Sequence, residues 1–216
     1  MGKFSIPIVT DGYYFIFTAL FFCFISFVYG FSYFSYFFLI VAGFFIIFFR
    51  DPQRIPPEGS ESMILSPADG KVVFVGKAQS NRYLEGDWEK ISIFMSVFNV
   101  HVNRIPIAGK VSDIFYHKGR FFSANLDKSS EKNEQNAIIL EHNGRWKVIF
   151  VQIAGLIARR IVCRLKRGDD VSRGARFGLI RFGSRVEVYL PMGSLLVVKE
   201  GEKVKAGKTV LGYLHG

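Results

Sequence analysis

A mainly β protein with minor α, preceded by an N-terminal helical membrane segment, is what the sequence predicts. Three observations predict it. Residues 12–49 contain no charged side chain, whereas residues 50–216 carry nearly all the charge. Short runs of alternating apolar and polar residues recur from residue 71 to residue 213, separated by Gly, Pro and Asn. The stretch 198–212 repeats glycine at a spacing that suits tight turns between short strands. With 216 residues and 50% apolar composition, the chain has room for one ordinary domain plus a modest appendage, and it is too apolar to be disordered.

The N-terminal run is rich in phenylalanine and about twice the roughly 20 residues that one spanning helix needs. It is read as two closely spaced helices with a turn near Gly30–Ser32, one long tilted helix being the alternative. Its tyrosines (Tyr13, Tyr14, Tyr29, Tyr33 and Tyr36) suit the headgroup layer, where a ring is buried and a hydroxyl stays wet. A signal peptide is disfavoured, since the run is too long and no A-x-A-like site follows it. A buried core hairpin is the bland alternative, but a chain this small is poorly able to cover such a run. Arg50 and Arg54 follow directly and favour the cytoplasmic side. The membrane segment is therefore placed at 1–49 and a single β-rich domain at 50–216.

Within that domain, strands are expected over 71–76, 91–95, 109–116, 137–142, 146–153, 186–190, 195–198 and 209–213. One helix is expected over Ala154–Cys163, from apolar residues at helical spacing with Arg159, Arg160 and Arg164 opposite. The 198–212 stretch and the segment Pro67–Val72 resemble the two halves of the flattened half-barrel of biotinyl and lipoyl carriers. The exposed lysine tripeptide of a working carrier is missing, so the likeness extends to fold and not to function.

Formal net charge is +10, which points to an anionic partner. A membrane surface is favoured, because the sequence shows no basic helix, zinc module or RNP-like motif for nucleic acid. Two cysteines, Cys23 and Cys163, cannot build a disulfide framework or a four-ligand zinc site, and the four histidines lack metal-ligand spacing. No metal is expected.

Among those histidines, His142 precedes Asn143-Gly144 and is expected at a strand end, His215 near the terminus, and His117 is ambiguous. A lone histidine is more often structural than catalytic, but His101 differs in context: Asn99 and Asn103, which can orient an imidazole, and the cation Arg104 sit beside it next to a hydrophobic strand. Asp69 in Ser66-Pro67-Ala68-Asp69-Gly70 reads equally well as a turn residue or as a carboxylate that orients a histidine. Three Gly-Ser pairs occur, at 59–60, 183–184 and 193–194; the pair Gly183-Ser184 opens an alternating strand between Arg181 and Arg185. A Gly β-bulge is the ordinary reading of such a pair, and no Gly-x-Ser-x-Gly elbow is present.

Taken together, several blocks resemble the phosphatidylserine decarboxylases of the short bacterial and archaeal type, over nearly the whole chain. They are Phe48-Phe49-Arg50-Asp51-Pro52, the Ser-Pro-Ala-Asp-Gly turn, Phe94 to Arg104, Ala124 to Ser130 with Asn133-Glu134, and Arg176 to Pro191. The resemblance singles out Gly183-Ser184 among the three pairs as the processing site. Longer relatives carry a second histidine where this chain has Arg104, so any role of that histidine does not transfer.

What the resemblance implies is a chain that cuts itself between Gly183 and Ser184 into a large chain, 1–183, and a small chain, 184–216, which stay together as a heterodimer. Ser184 becomes a covalent pyruvoyl group, an electron sink in place of pyridoxal phosphate, which forms a Schiff base with the substrate amine. His101 is implied as the base and Asp69 as the residue that orients it. The implied reaction converts phosphatidylserine to phosphatidylethanolamine and carbon dioxide at the cytoplasmic membrane, with the catalytic domain on the cytoplasmic side. Arg104, Arg181 and Arg185 are candidates for the lipid phosphate by charge and position. A membrane-tethered binding module without enzymatic activity, or a decarboxylase of another serine-containing lipid such as an archaeal ether lipid, stands as the alternative; oligomeric state is left open.

Overall fold

The computed structural model describes residues 8–79, 83, 85–119, 132–155, 160–181 and 183–215. The chain divides into two compact units, Met1–Gln53 and Arg54–Gly216. The division falls slightly after the expected 49/50 boundary because Arg50 still belongs to the first unit, bridging to Ile8.

In the first unit two helices form, α1 (Thr10–Val28) and α2 (Ser32–Phe48), so the single long helix is excluded. Gly30 makes the break. Its φ of +73° lets the chain leave α1 through a left-handed residue, with Gly30 N donating to Phe27 O and Phe31 N to Ser26 O. The hairpin is closed at its open end by Val9 N donating to Phe49 O at 3.0 Å, and it is filled by rings: Phe15 packs on Phe45 and Phe49, and Phe22 stacks on Phe38. Gly12 allows the close approach, since a Cβ there would lie 2.5 Å from Phe49. The outer faces expose Phe17, Phe21, Phe24, Phe34, Phe37 and Ile40, among others. At 1.5 Å per residue the helices are about 28 and 26 Å long. By length and composition α1 can cross a membrane, while α2 is shorter.

The second unit is mostly β among its described residues. In chain order the strands are β1 (Met63–Leu65), β2 (Gly70–Ala78), β3 (Trp88–Met95), β4 (Val102–Arg104), β5 (Gly109–His117), β6 (Gln135–His142), β7 (Trp146–Ala154), β8 (Ile161–Cys163), β9 (Asp170–Val171), β10 (Arg176–Ile180), β11 (Ser184–Pro191), β12 (Leu195–Leu196), β13 (Lys203–Val204) and β14 (Val210–Tyr213). An open eight-stranded sheet runs β13-β2-β3-β11-β7-β6-β5-β9, with two three-stranded sheets, β1-β14-β12 and β4-β10-β8. The named ladders are all antiparallel.

β11 sits inside the large sheet and is buried on both faces. Val186, Val188 and Leu190 point into the main core with Ile91, Ile93, Phe150 and Phe177. Arg185, Glu187 and Tyr189 point the other way, as the two-residue period of a strand requires. There Tyr189 joins a second apolar cluster with Ile149 and Val151, and Glu187 is held by Lys90 Nζ at 2.9 Å, Ser92 Oγ at 3.2 Å and Tyr189 OH at 2.7 Å.

The expected helix over Ala154–Cys163 does not form at its ends. Ala154 closes β7 and Ile161–Cys163 is β8, paired with Gly178–Ile180; residues 156–159 lie outside the described residues. The spacing was compatible with either state, and the partner strand β10 decides, because Gly178 lets the β8 backbone approach: a Cβ there would meet Val162 O at 2.1 Å. The Asn143-Gly144 turn forms as expected, with φ of +51° and +64°, and His142 ends β6. The glycines at 201 and 207 both turn with positive φ around β13.

Candidate active site

Ser184 is the first residue of β11 and is completely buried, with register partners Met95 on β3 and Ala154 on β7. Gly183 precedes it at φ +69°, a conformation that a side chain would strain; a Cβ there would meet nothing within 4 Å, so the glycine serves the backbone and not the packing. The Ser184 hydroxyl donates to Met95 Sδ at 3.4 Å. The other pairs differ: Ser60 is exposed, and Ser194 is bonded to Pro191 O within a turn.

The block Phe94–Arg104 begins beside this serine. β3 ends at Met95, opposite Ser184, and the chain then makes a tight turn in which Asn99 Oδ1 accepts from Ser96 N at 2.9 Å and Ser96 Oγ at 2.8 Å. It returns as His101 and β4, where Asn103 Nδ2 reaches the same Met95 sulfur at 3.7 Å. His101 is 1% exposed, and its Nδ1 donates to Asn99 O at 2.9 Å. A carbonyl can only accept, so Nδ1 carries the hydrogen and Nε2 is the nitrogen with a lone pair for a proton.

Asp69 stands in the turn stapled by Ser66 Oγ donating to Ala68 O at 2.7 Å. Its carboxylate is gripped at both oxygens by the Arg54 guanidinium, with Nη2 at 2.8 Å from Oδ2, and Oδ1 also accepts from Ala206 N at 2.8 Å. Arg54 Nη1 donates to Ala206 O at 2.8 Å as well. The resemblance implied Asp69 as the residue that orients His101. Here the resolved carboxylate bonds go to Arg54 and Ala206, and the imidazole Nδ1 goes to Asn99. The two segments are tied through backbone, by Arg104 N donating to Pro67 O at 2.9 Å.

The three arginines divide. Arg104 is buried, donates to Gly174 O at 3.0 Å and packs on Gly207. Arg185 is buried 3.6 Å from Glu187. Arg181 is half-buried, two residues ahead of Gly183. The Ala124–Ser130 block lies outside the described residues, as does Phe182. Asn133 is described, and its Nδ2 donates to the carbonyl of Ala154, the residue beside Ser184. Among the described residues no group of three His, Cys, Asp or Glu is placed to hold a metal.

Sequence reasoning missed Arg54 as the partner of Asp69, and it missed Gln152. The signal for Gln152 was present: it is the one amide in the buried run Val148–Ala154. No local signal links Arg54 to Asp69.

A fully buried serine behind a left-handed glycine, at the head of a strand inside the sheet, defines an internal serine site in an antiparallel β domain. Comparison with known proteins gives that class a family. The family model for phosphatidylserine decarboxylase matches residues 41–212, and the chain belongs to that family. Proteins named phosphatidylserine decarboxylase proenzyme are similar along most of their length. The one from Syntrophotalea carbinolica is 50% identical over 96% of this chain and 97% of its own. That from Desulfotalea psychrophila is 47% identical over 97% and 98%, and that from Geobacter sp. strain M21 is 54% identical over 78% and 76%.

Proposed function

We propose that this chain is a proenzyme that cuts itself between Gly183 and Ser184 and then decarboxylates phosphatidylserine to phosphatidylethanolamine. The observation that carries the reading is Ser184 itself: a fully buried serine at the head of the central strand, behind a glycine at φ +69°, in a chain of this family.

Self-cleavage begins with the Ser184 hydroxyl adding to the Gly183 carbonyl carbon. His101 is the base that takes the proton, since its Nδ1 is already committed and Nε2 bears the lone pair. The C–N bond then breaks, the proton passes to the Ser184 nitrogen, and an ester links the two halves. Elimination expels the Gly183 carboxylate and leaves dehydroalanine, which water converts to a pyruvoyl group with loss of ammonia. Burial favours the early steps by excluding water that would otherwise hydrolyse the ester. The residues at hand fit a pyruvoyl group: Met95 and Ala154, the register partners of Ser184 on the two neighbouring strands, would flank it, and Asn103, which reaches Met95 Sδ from β4, would lie near it. When present, that group supplies the electron sink for loss of carbon dioxide. Arg104, Arg181 and Arg185 are the cations we assign as candidates for the anionic headgroup.

The small chain, 184–216, stays with the large one as a heterodimer. It contributes β11 between β3 and β7, β13 beside β2 and β14 beside β1, and each buried Val or Leu of β11 contributes about 1.5–3 kcal/mol. The turns around Gly201 and Gly207 are the carrier-like element, and their role here is to deliver the Ala206 backbone to Asp69 and Arg54. The aromatic hairpin anchors the enzyme in the cytoplasmic membrane, with the β domain on the cytoplasmic side, where its substrate lies.

Intact-mass measurement tests the reading. Purified protein should give two fragments, 1–183 and 184–216, with the smaller blocked to Edman degradation, and Ser184→Ala should give one inactive chain. An uncut wild-type chain with full activity would overturn it.

A further inference from the structure

Three buried carboxamides form a row across the sheets. Asn136 on β6 donates Nδ2 to Gln152 Oε1 at 3.1 Å, and Gln152 on β7 donates Nε2 to Asn103 Oδ1, on β4, at 2.9 Å. All three are buried to 3% exposure or less. Such a row has a direction, because each link passes a donor forward and dictates which end of the next amide leads. Two backbone carbonyls, which can only accept, fix that direction independently. Val162 O lies 3.5 Å from Gln152 Nε2, and Pro67 O lies 3.5 Å from Asn103 Nδ2.

The row therefore ends with the Asn103 NH2 group leading, and that group reaches Met95 Sδ at 3.7 Å. The Ser184 hydroxyl donates to the same sulfur at 3.4 Å. A thioether is a weak acceptor. One hydrogen of this fully desolvated NH2 faces Pro67 O, and the other is thus held on a poor partner that the serine shares, so it gains much more from an oxygen that becomes negative there.

We propose that the Asn136–Gln152–Asn103 row is a positioning device that aims the Asn103 NH2 at the 183–184 linkage, where it hydrogen-bonds the oxygen on which charge develops. The inference rests on the self-cleavage reading above. As the bond from Ser184 Oγ to the Gly183 carbon forms, the carbonyl π pair moves onto oxygen and the hydroxyl proton leaves to His101. The Asn103 NH2 stabilises that oxyanion without rearranging, because Gln152 has fixed it beforehand. Gln152 touches none of the reacting atoms and acts through Asn103. After maturation the same NH2 would be available to the group at the new N-terminus of the small chain.

The test uses the full-length chain. Cleavage is followed by intact mass from the moment of synthesis, turnover of the cleaved fraction is measured on phosphatidylserine in detergent micelles, and folding is followed by Tm. Gln152→Met should slow cleavage about 10-fold and Asn103→Leu about 100-fold, each lowering kcat with KM within about twofold. The double variant should match Asn103→Leu alone, since Gln152 has no route except through Asn103. Should Asn103→Leu fail to fold, Asn103→Ser enters the same cycle and should show the same non-additivity. Additive losses, or Gln152→Met cleaving within twofold of wild type, would overturn the inference. If wild-type protein itself is not cut at 183–184, the proposed function falls instead.

Discussion

At the scale of single residues, the site is governed by backbone strain at one position and by paired charge at another. Gly183 holds φ +69° with open space around it, so an alanine there costs only the left-handed conformation, about 1–2 kcal/mol. In the uncut Ser184→Ala background, Gly183→Ala should lower the denaturant unfolding free energy by that amount. Arg54 presents a larger effect. Removing it leaves the Asp69 carboxylate buried with its main cationic partner gone, so Arg54→Ala should cost about 3 kcal/mol in thermal unfolding. Arg54→Lys should recover only part of that, because an ammonium cannot span both carboxylate oxygens and the Ala206 carbonyl. Cys163 offers a pH signature. Burial pushes its thiol above the ordinary value of 9.0, outweighing hydrogen bonds from the Leu165 backbone and the Asn136 side chain. Below the unfolded pKa the thiol is neutral in both states and its contribution is complete; as pH rises through the folded pKa that stability is lost. In a Cys23→Ser background, iodoacetamide labelling should be slower than for free cysteine and should reach half-maximal rate at a higher pH.

Elements respond to their neighbours more than to their own periodicity. Residues 161–163 carry a pattern that also suits a helix, and they form a strand because β10 offers a ladder and Gly178 removes the side chain that would block it. The helical hairpin likewise includes one close approach that only a glycine allows, where Gly12 faces Phe49. Gly12→Leu should pry α1 from α2. Cysteine cross-linking between the helices should fall in that variant, while cleavage at 183–184 proceeds at the wild-type rate because the reacting residues lie in the β unit. Normal cross-linking would show that the hairpin does not need this contact.

At the scale of the whole molecule, two kinds of membrane attraction are expected to operate together. The net charge of +10 draws the protein to anionic lipid, and this component is screened once the Debye length falls to a few ångströms. The exposed aromatic hairpin contributes burial that salt does not weaken. Flotation with phosphatidylserine-containing vesicles should therefore decline only in part between about 0.05 and 1 M salt, and binding to neutral vesicles should be nearly salt-independent. Complete release at high salt would remove the hairpin as an anchor.

Much was written in local chemistry. Eight alternating runs announced eight strands, Asn143-Gly144 announced its hairpin, and an uncharged stretch divided by Gly30 announced two helices. Those features depend on residues adjacent in the chain, where sterics and side-chain period act directly. Gly183-Ser184 and His101 stand out as candidates for a related reason: each lies in a distinctive block of neighbours. Short strands such as β4, β8 and β9 were not legible, since two or three residues hold too little pattern and become strands only when a distant partner supplies the hydrogen bonds. The same holds for the chemistry. The pairing of Arg54 with Asp69 and Ala206, and the row from Asn136 through Gln152 to Asn103, join residues far apart in sequence. Their worth comes from desolvation and from donor direction, which exist only after the sheets have closed over them.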